Sequence, residues 1–440
     1  MPLPRFEVVR RLRPVDLIAA GREAADPTRP RVVAPYVAAV TETHAATSGG
    51  LDPDVHLALH LAGFRLGARL RDGHVELTQL HHGRETVHRS RRHGRAQDPT
   101  RLGLTLTGPH LTAWTHEAGQ WVARARHHLD DRLDVHDEEA LAELRVEFPV
   151  WGGTSGPFGQ LGLRDLRVVT TAEGDPIRED GRVLLTATHA GPAFATAAHA
   201  GVWALDSASY ALEHRADLFF RRPDRPGVYG DHAIHLVRAD GEWLVAASTW
   251  GDFDKAQGPG LLRVTLARSS ADLTRGTHVL DTTELPLPTD GFRSVGTWDP
   301  HLVRDGERWL VGFVSAQRFF RFHPAVAAGP SLDRLTLLGA APDRRATEGT
   351  TLVRVEDTWR VLASDGRDGR RGQRGRYPVF DVLMTEIGTL DAPYPTNIPW
   401  PTLLRDGDDW LVVAFNGRTI GGELLDYGSH GDVVLLRSTT

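Results

Sequence analysis

Four times in the second half of the chain a short apolar run meets an acidic or Gly turn and then a Trp-anchored apolar run. His235–Arg238 (HLVR) leads to Trp243, His301–Arg304 (HLVR) to Trp309, Thr351–Arg354 (TLVR) to Trp359 and Thr402–Arg405 (TLLR) to Trp410. The first residue and the Trp are eight apart in every copy (243−235, 309−301, 359−351, 410−402). A repeat of roughly 50 residues predicts an array of supersecondary units, each too small to bury its apolar face alone. Asp240-Gly241, Asp305-Gly306 and Asp406-Gly407 stand between the paired runs, and Asp-Gly there signals a hairpin. Glu356-Asp357 replaces it in the third copy.

A shorter unit precedes the first copy: Val183–Thr188, Gly201–Leu205 and Leu212–Phe219. Counting it gives five units, and Val433–Arg437 can complete a sheet with early strands. Pairing the chain ends removes open strand edges. The expected fold is therefore all-β, with a five-bladed β-propeller over residues 182–440. Residues 1–170 show β-type alternation without this repeat, as in Val55–Leu61, Phe64–Leu70, His74–Leu80, Leu102–Leu106, Leu111–Trp114 and Leu161–Val169. They predict an N-terminal antiparallel β-sandwich. Asp130–Glu143 holds either a short helix or a loop, and residues 171–181, mostly polar, serve as the linker.

In a propeller the innermost strands line a channel and run the same way, so residues just ahead of them gather at one mouth. Asp231, Asp299 and Glu348 stand four, two and three residues ahead of their repeats (235−231, 301−299, 351−348). Two carboxyls flanking a bond are what glycosidic cleavage needs: one protonated to serve the leaving oxygen, one ionised to activate water or attack the sugar. A third acid raises the donor's pKa or orients it. Taken singly, each acid reads first as a turn residue; three in register favour a site.

Asp299-Pro300 before HLVRDGERWLVGFVS, and Glu348-Gly349 before TLVRVEDTWRVLAS, resemble the acidic blade motifs of glycoside hydrolase family 43 and its five-bladed relatives. The resemblance implies Asp231 as general base, Asp299 as the acid that orients and tunes, and Glu348 as general acid. It further implies action on arabinofuranosides, xylosides or related sugars, inversion being favoured. The N-terminal part resembles concanavalin-like or laminin-G-like modules in Leu102–Trp114 and Phe158–Val169. A non-catalytic glycan-binding protein, and a propeller lyase or cyclase of small-molecule biosynthesis, stay open as alternatives, because one propeller fold hosts many functions.

Topology brings further residues to the mouth. Trp250, Trp298 and Phe319 offer faces for sugar rings, and Arg318 and Arg376 offer guanidinium groups to an anionic substituent. His430 opens the closing strand. As a lone His it reads first as a hydrogen-bonding core residue. The resemblance also implies a structural divalent cation, such as calcium, in the channel near such a His. No cofactor is required by the proposed chemistry.

The net charge of −6 gives no general attraction to nucleic acid or anionic membranes. No run approaches the roughly 18 apolar residues of a membrane helix. With no Cys, disulfides, thiolate metal sites and thiol nucleophiles are excluded. No apolar stretch follows the basic start, which predicts a cytoplasmic location, with secretion by another route left open. A saccharide is the expected partner, and no oligomeric state is read from the sequence.

Overall fold

The fold is described from a computed structural model, in which residues 3–43, 51–52, 55–129, 132–254 and 262–439 are described. Five antiparallel blades surround one axis. Blade 1 is built on Leu163–Val168, Arg182–His189, His199–Leu205 and Leu212–Arg222; blade 2 on His232–Ala239, Glu242–Ser248 and Val264–Ser269. Blade 3 contains Thr297–Asp305, Arg308–Arg318, Arg321–Gly329 and Thr336–Ala340; blade 4 contains Thr347–Val355, Thr358–Asp365, Pro378–Phe380 and Glu386–Thr389. Blade 5 takes Thr402–Asp406, Asp409–Thr419 and His430–Ser438, and its outermost strand is Phe6–Leu12 from the other end of the chain. The inner strand of every blade touches its neighbours around the ring, so the array is closed.

The eight-residue spacing has a direct cause. Arg238 lies opposite Trp243, Arg304 opposite Trp309, Arg354 opposite Trp359 and Arg405 opposite Trp410 in the antiparallel ladders. Three of these pairs stack, with guanidinium carbons 5.1, 4.8 and 4.5 Å from the indole centres of Trp243, Trp309 and Trp410. Such cation–π contacts combine with burial of the ring. Each Trp packs into a cluster shared with the preceding blade, for example Trp309 with Val237, Leu244 and Leu266. The turn residues differ from expectation. Only Asp240 and Gly241 both have positive φ; the strands of blades 3 and 5 run on through Asp305 and Asp406, leaving Gly306 and Gly407 as the first central residues.

Two boundaries shift. Leu163–Val168, expected in the sandwich, pairs with Arg182–His189 as the inner strand of blade 1. Residues 171–181 are not an interdomain linker, because Thr170–Thr171 runs parallel to Val237–Arg238 and Arg178–Glu179 pairs with Arg182–Val183. They decorate blades 1 and 2. The remaining N-terminal residues form a sandwich of a six-stranded and a five-stranded sheet. Its core interleaves Leu57, Leu59, Leu66 and Leu77 of one sheet with Leu102, Leu104, Leu106 and Ala113 of the other. The stretch 130–143 contains a short helix, Glu138–Ala142, capped by Asp137; residues 130 and 131 lie outside the described residues.

The outer face of the six-stranded sheet packs on the propeller. Tyr36, Trp114 and Phe158 meet Phe219, Val228 and Leu425 in one apolar cluster. Arg22 crosses the same boundary to Asp217 at 2.6 Å. Among the described residues no helix is long and apolar enough to cross a membrane.

Candidate active site

A shared irregularity in the inner strands builds the site. Blades 1 to 4 each carry a β-bulge, between Arg164 and Arg167, His232 and His235, Trp298 and His301, and Glu348 and Thr351. The bulged residue has positive φ in all four: Asp165 (52°), Ala233 (54°), Asp299 (56°) and Gly349 (73°). A bulge re-aims side chains out of the pleat. For non-glycine residues this backbone region costs about 1–3 kcal/mol and concentrates at functional sites. Hydroxyls of neighbouring strands hold the bulges: Ala233 N–H donates to Thr188 Oγ1 at 3.1 Å and Asp299 N–H to Ser248 Oγ at 3.0 Å.

The bulges open on a cavity of about 290 Å³, whose lining includes Asp165, Asp299 and Glu348 from blades 1, 3 and 4. Asp165 keeps 14% of its side chain exposed, whereas Asp299 is 2% exposed overall. Burial pushes Glu348 up to about 8, reinforced by the charge of Asp165 and, further down, of Asp368. Burial also pushes Asp299 well above the ordinary carboxylate range, aided by Glu348 and Asp165 and opposed by Arg167 and the Gly349 N–H at 3.3 Å. Asp165 is raised by burial too, but Arg164, Thr188 and Arg167 all favour its anion. The Arg164 Nε–H donates to it at 3.3 Å. Burial thus raises all three, Glu348 to about 8, and Asp165 is the one whose anion has support from both Arg164 and Arg167.

Asp165 was missed by the repeat because its strand is followed by residues 171–181 rather than by a Trp hairpin. The signal was spacing: Asp165 stands two residues before Arg167, as Asp299 stands two before His301. Asp231 does not join the other acids. It lies two residues before the bulge at Ala233 and is fully buried, with both carboxylate oxygens on Arg222 and one also accepting the Gly251 N–H at 3.0 Å. Arg222 stacks on Tyr229 at 4.4 Å and also binds Asp252. Asp231 thus sits in an ion-pair network outside the cavity lining.

Trp250, Trp298, Phe319 and His430 line the cavity; Arg318 and Arg376 do not. Arg318 is exposed at the Arg318–Arg321 hairpin end. Arg376 is committed to Asp365 at 3.1 Å and Glu386 at 2.8 Å. Trp298 and Trp400 are floor residues. Their indole N–H groups face Glu348 and favour its anion, yet neither closes a hydrogen bond among the described residues and both stay buried.

His430 does not fit a calcium ion. Its Nδ1 accepts the Gly428 N–H at 3.1 Å, the rings of Phe415 and Tyr427 flank it, and burial depresses it to about 3 with help from the charges of Arg164 and Arg13. Calcium takes six to eight oxygens, and cations repel it. Elsewhere among the described residues, His189, His214 and Asp217 cluster inside blade 1. Trp203 donates to His189 Nε2 at 2.8 Å and Arg22 neutralises Asp217, so hydrogen bonds within the protein already engage that cluster.

No family model matches the chain, and no curated protein does. Solved structures show similarity at low identity. The inulosucrase from Halalkalicoccus jeotgali bound to kestose is 14% identical, with a TM-score of 0.47 over 63% of this chain and 85% of that one. The levansucrase from Bacillus subtilis is 10% identical, with a TM-score of 0.45 over 63% and 86%. The α-L-arabinanase of Penicillium chrysogenum complexed with arabinobiose is 11% identical, with a TM-score of 0.38 over 91% and 97%.

Proposed function

We propose that this protein hydrolyses a glycosidic bond in the cavity, with Glu348 as general acid, Asp165 as the ionised partner and Asp299 as the group that tunes them. One observation carries this: three carboxyls from separate blades converge on one aromatic-walled cavity, where burial raises Glu348 to about 8 while Arg164, Thr188 and Arg167 favour the anion of Asp165. Unequal surroundings of this kind are what a site needs to supply both acid and base at neutral pH.

In the proposed reaction the glycosidic C–O bond breaks as Glu348 passes its proton to the departing oxygen. Asp165 takes a proton from the water whose oxygen joins the anomeric carbon, inverting that centre. Asp299, protonated by burial and its acidic neighbours, is positioned to donate to a sugar hydroxyl. Arabinofuranosides and xylosides are the first substrates to try.

The test uses nitrophenyl and methyl glycosides of pentoses, hexoses and uronic acids. Glu348→Gln and Asp165→Asn should each lower turnover by about 10²–10⁴-fold, the Glu348 change acting most on the poorer leaving group. Full turnover by Asp165→Asn, or hydrolysis of nothing in the panel, overturns the assignment. NMR of the first-formed anomer checks inversion.

A further inference from the structure

The rim of the cavity is more apolar than a sugar requires. Phe194 from blade 1, Trp250 and Phe253 from blade 2, Phe319 and Phe320 from blade 3, and Tyr427 from blade 5 all line it. The rings of Phe194, Trp250, Phe253, Phe319 and Tyr427 form a continuous chain. Trp250 meets Phe253 at 5.0 Å and 71°, Phe253 meets Phe319 at 5.1 Å and 66°, and Phe194 meets Trp250, Phe253 and Tyr427 at 6.3, 6.1 and 5.8 Å. Four of these contacts are edge-to-face and that of Phe194 with Tyr427 is tilted at 33°; aromatic contact at these spacings is favourable.

The polar side chains of the rim are mostly engaged within the protein. Asp368 and Asn397 line the blade 4 to blade 5 edge, and Asn397 Oδ1 is already taken by the Arg367 N–H at 2.6 Å. On the blade 1 side, Arg164 is held by Asp165, His232 and the Gly428 carbonyl. A second sugar against the aromatic arc would find at most the Tyr427 hydroxyl and the Trp250 indole N–H as partners, and burying its other hydroxyls unpaired is costly.

Phe320 adds an independent observation. Its side chain is large and apolar, yet it is 60% exposed and its backbone has φ of +63°. Tyr427, at the far end of the arc, is 53% exposed. The positive φ is the turn geometry of the Arg318–Arg321 hairpin, and that turn holds the exposed ring at the rim of the cavity.

We propose that the aromatic arc binds a flat apolar aglycone, so that the substrate class is the glycosides of aromatic alcohols and phenols rather than oligosaccharides. This rests on the hydrolase reading for turnover, but not for binding. The cavity volume of about 290 Å³ is at the lower end of ligand pockets and suits one sugar with one such group.

Two experiments separate the claims. The first measures kcat/KM for methyl and 2-naphthylmethyl glycosides of the same sugar, whose leaving alcohols have similar acidity. The naphthylmethyl compound should be preferred at least 100-fold. Phe320→Ser and Tyr427→Ser, both at exposed positions, should each cut that preference at least tenfold. Equal use of the two glycosides, or a disaccharide preferred to both, overturns the proposal.

The second titrates 2-naphthol into the protein and follows tryptophan fluorescence, with cyclohexanol as control. Saturable quenching by naphthol alone, weakened at least tenfold in Phe320→Ser, upholds the aglycone site even if no glycoside is cleaved. Absence of saturable naphthol binding overturns it even if hydrolysis is observed.

Discussion

Arg167 of blade 1 reaches across the channel and donates to the main-chain carbonyl of Asp299 in blade 3 at 3.0 Å. Its other terminal nitrogen donates to Thr351 of blade 4 at 3.1 Å, and its guanidinium lies 4.6 Å from the ring centre of Trp400. One buried cation therefore ties together the blades that carry the acids. Burial pulls Arg167 down to about 10 despite the opposing pull of Asp299 and Asp165.

The charge of Arg167 favours the anion of Asp165. Arg167→Met should move the acidic limb of the kcat/KM profile to higher pH, because Asp165 then holds its proton longer. Turnover lost at pH 5 should be partly regained at pH 7. A uniform loss at every pH would mean that Arg167 acts only by holding the blades.

In the proposed reaction the alkaline limb is set by Glu348, raised to about 8. Activity should fall as pH passes that value and the general acid loses its proton. Asp368 helps to hold that proton by its negative charge. Asp368→Asn should therefore shift the alkaline limb to lower pH by a few tenths of a unit. An unmoved limb in a pH–rate measurement would exclude Asp368 as a tuner.

The parts of this arrangement legible in the sequence are those built from neighbours along the chain. Arg304 opposite Trp309 is a hairpin contact, so its eight-residue signature survives in the sequence, and with it the positions of Asp299 and Glu348. Blade 1 is written differently. Its inner strand and the next are separated by residues 169–181, so Asp165 carries no Trp marker downstream. Phe6–Leu12 joins blade 5 only through pairing with Ser438 to Val433, a contact between opposite ends of the chain. Asp231 shows the limit of counting offsets. A β-bulge changes which side chains face the channel, and two residues separate the bulge position from a buried ion pair.

That ion pair gives a contrast between folding and chemistry. Asp231→Asn leaves Arg222 buried at 2% exposed with only Asp252 as its anionic partner. Breaking one side of a buried pair costs about 3–5 kcal/mol. Thermal melting should drop accordingly, while kcat for the molecules that remain folded stays near the wild-type value. Normal stability with turnover lost by roughly 10²-fold or more, the scale of a missing general base, would return Asp231 to the catalytic set.

Glu348 reverses that pattern. Its pKa rises from 4.5 in the unfolded chain to about 8 in the native fold. Between those values the native state holds a proton that the unfolded chain releases, so stability falls as pH rises through the window and the loss is complete above about 8. The neutral amide in a Glu348→Gln variant carries no such penalty. A difference of one pH unit between the two pKa values corresponds to about 1.4 kcal/mol, and water entering the cavity screens part of it. The variant should match the wild type in urea unfolding near pH 4 and exceed it by on the order of 2 kcal/mol at pH 8. Equal stability at both pH values would show that Glu348 keeps an ordinary carboxyl pKa, and its role as proton donor would lose its physical basis.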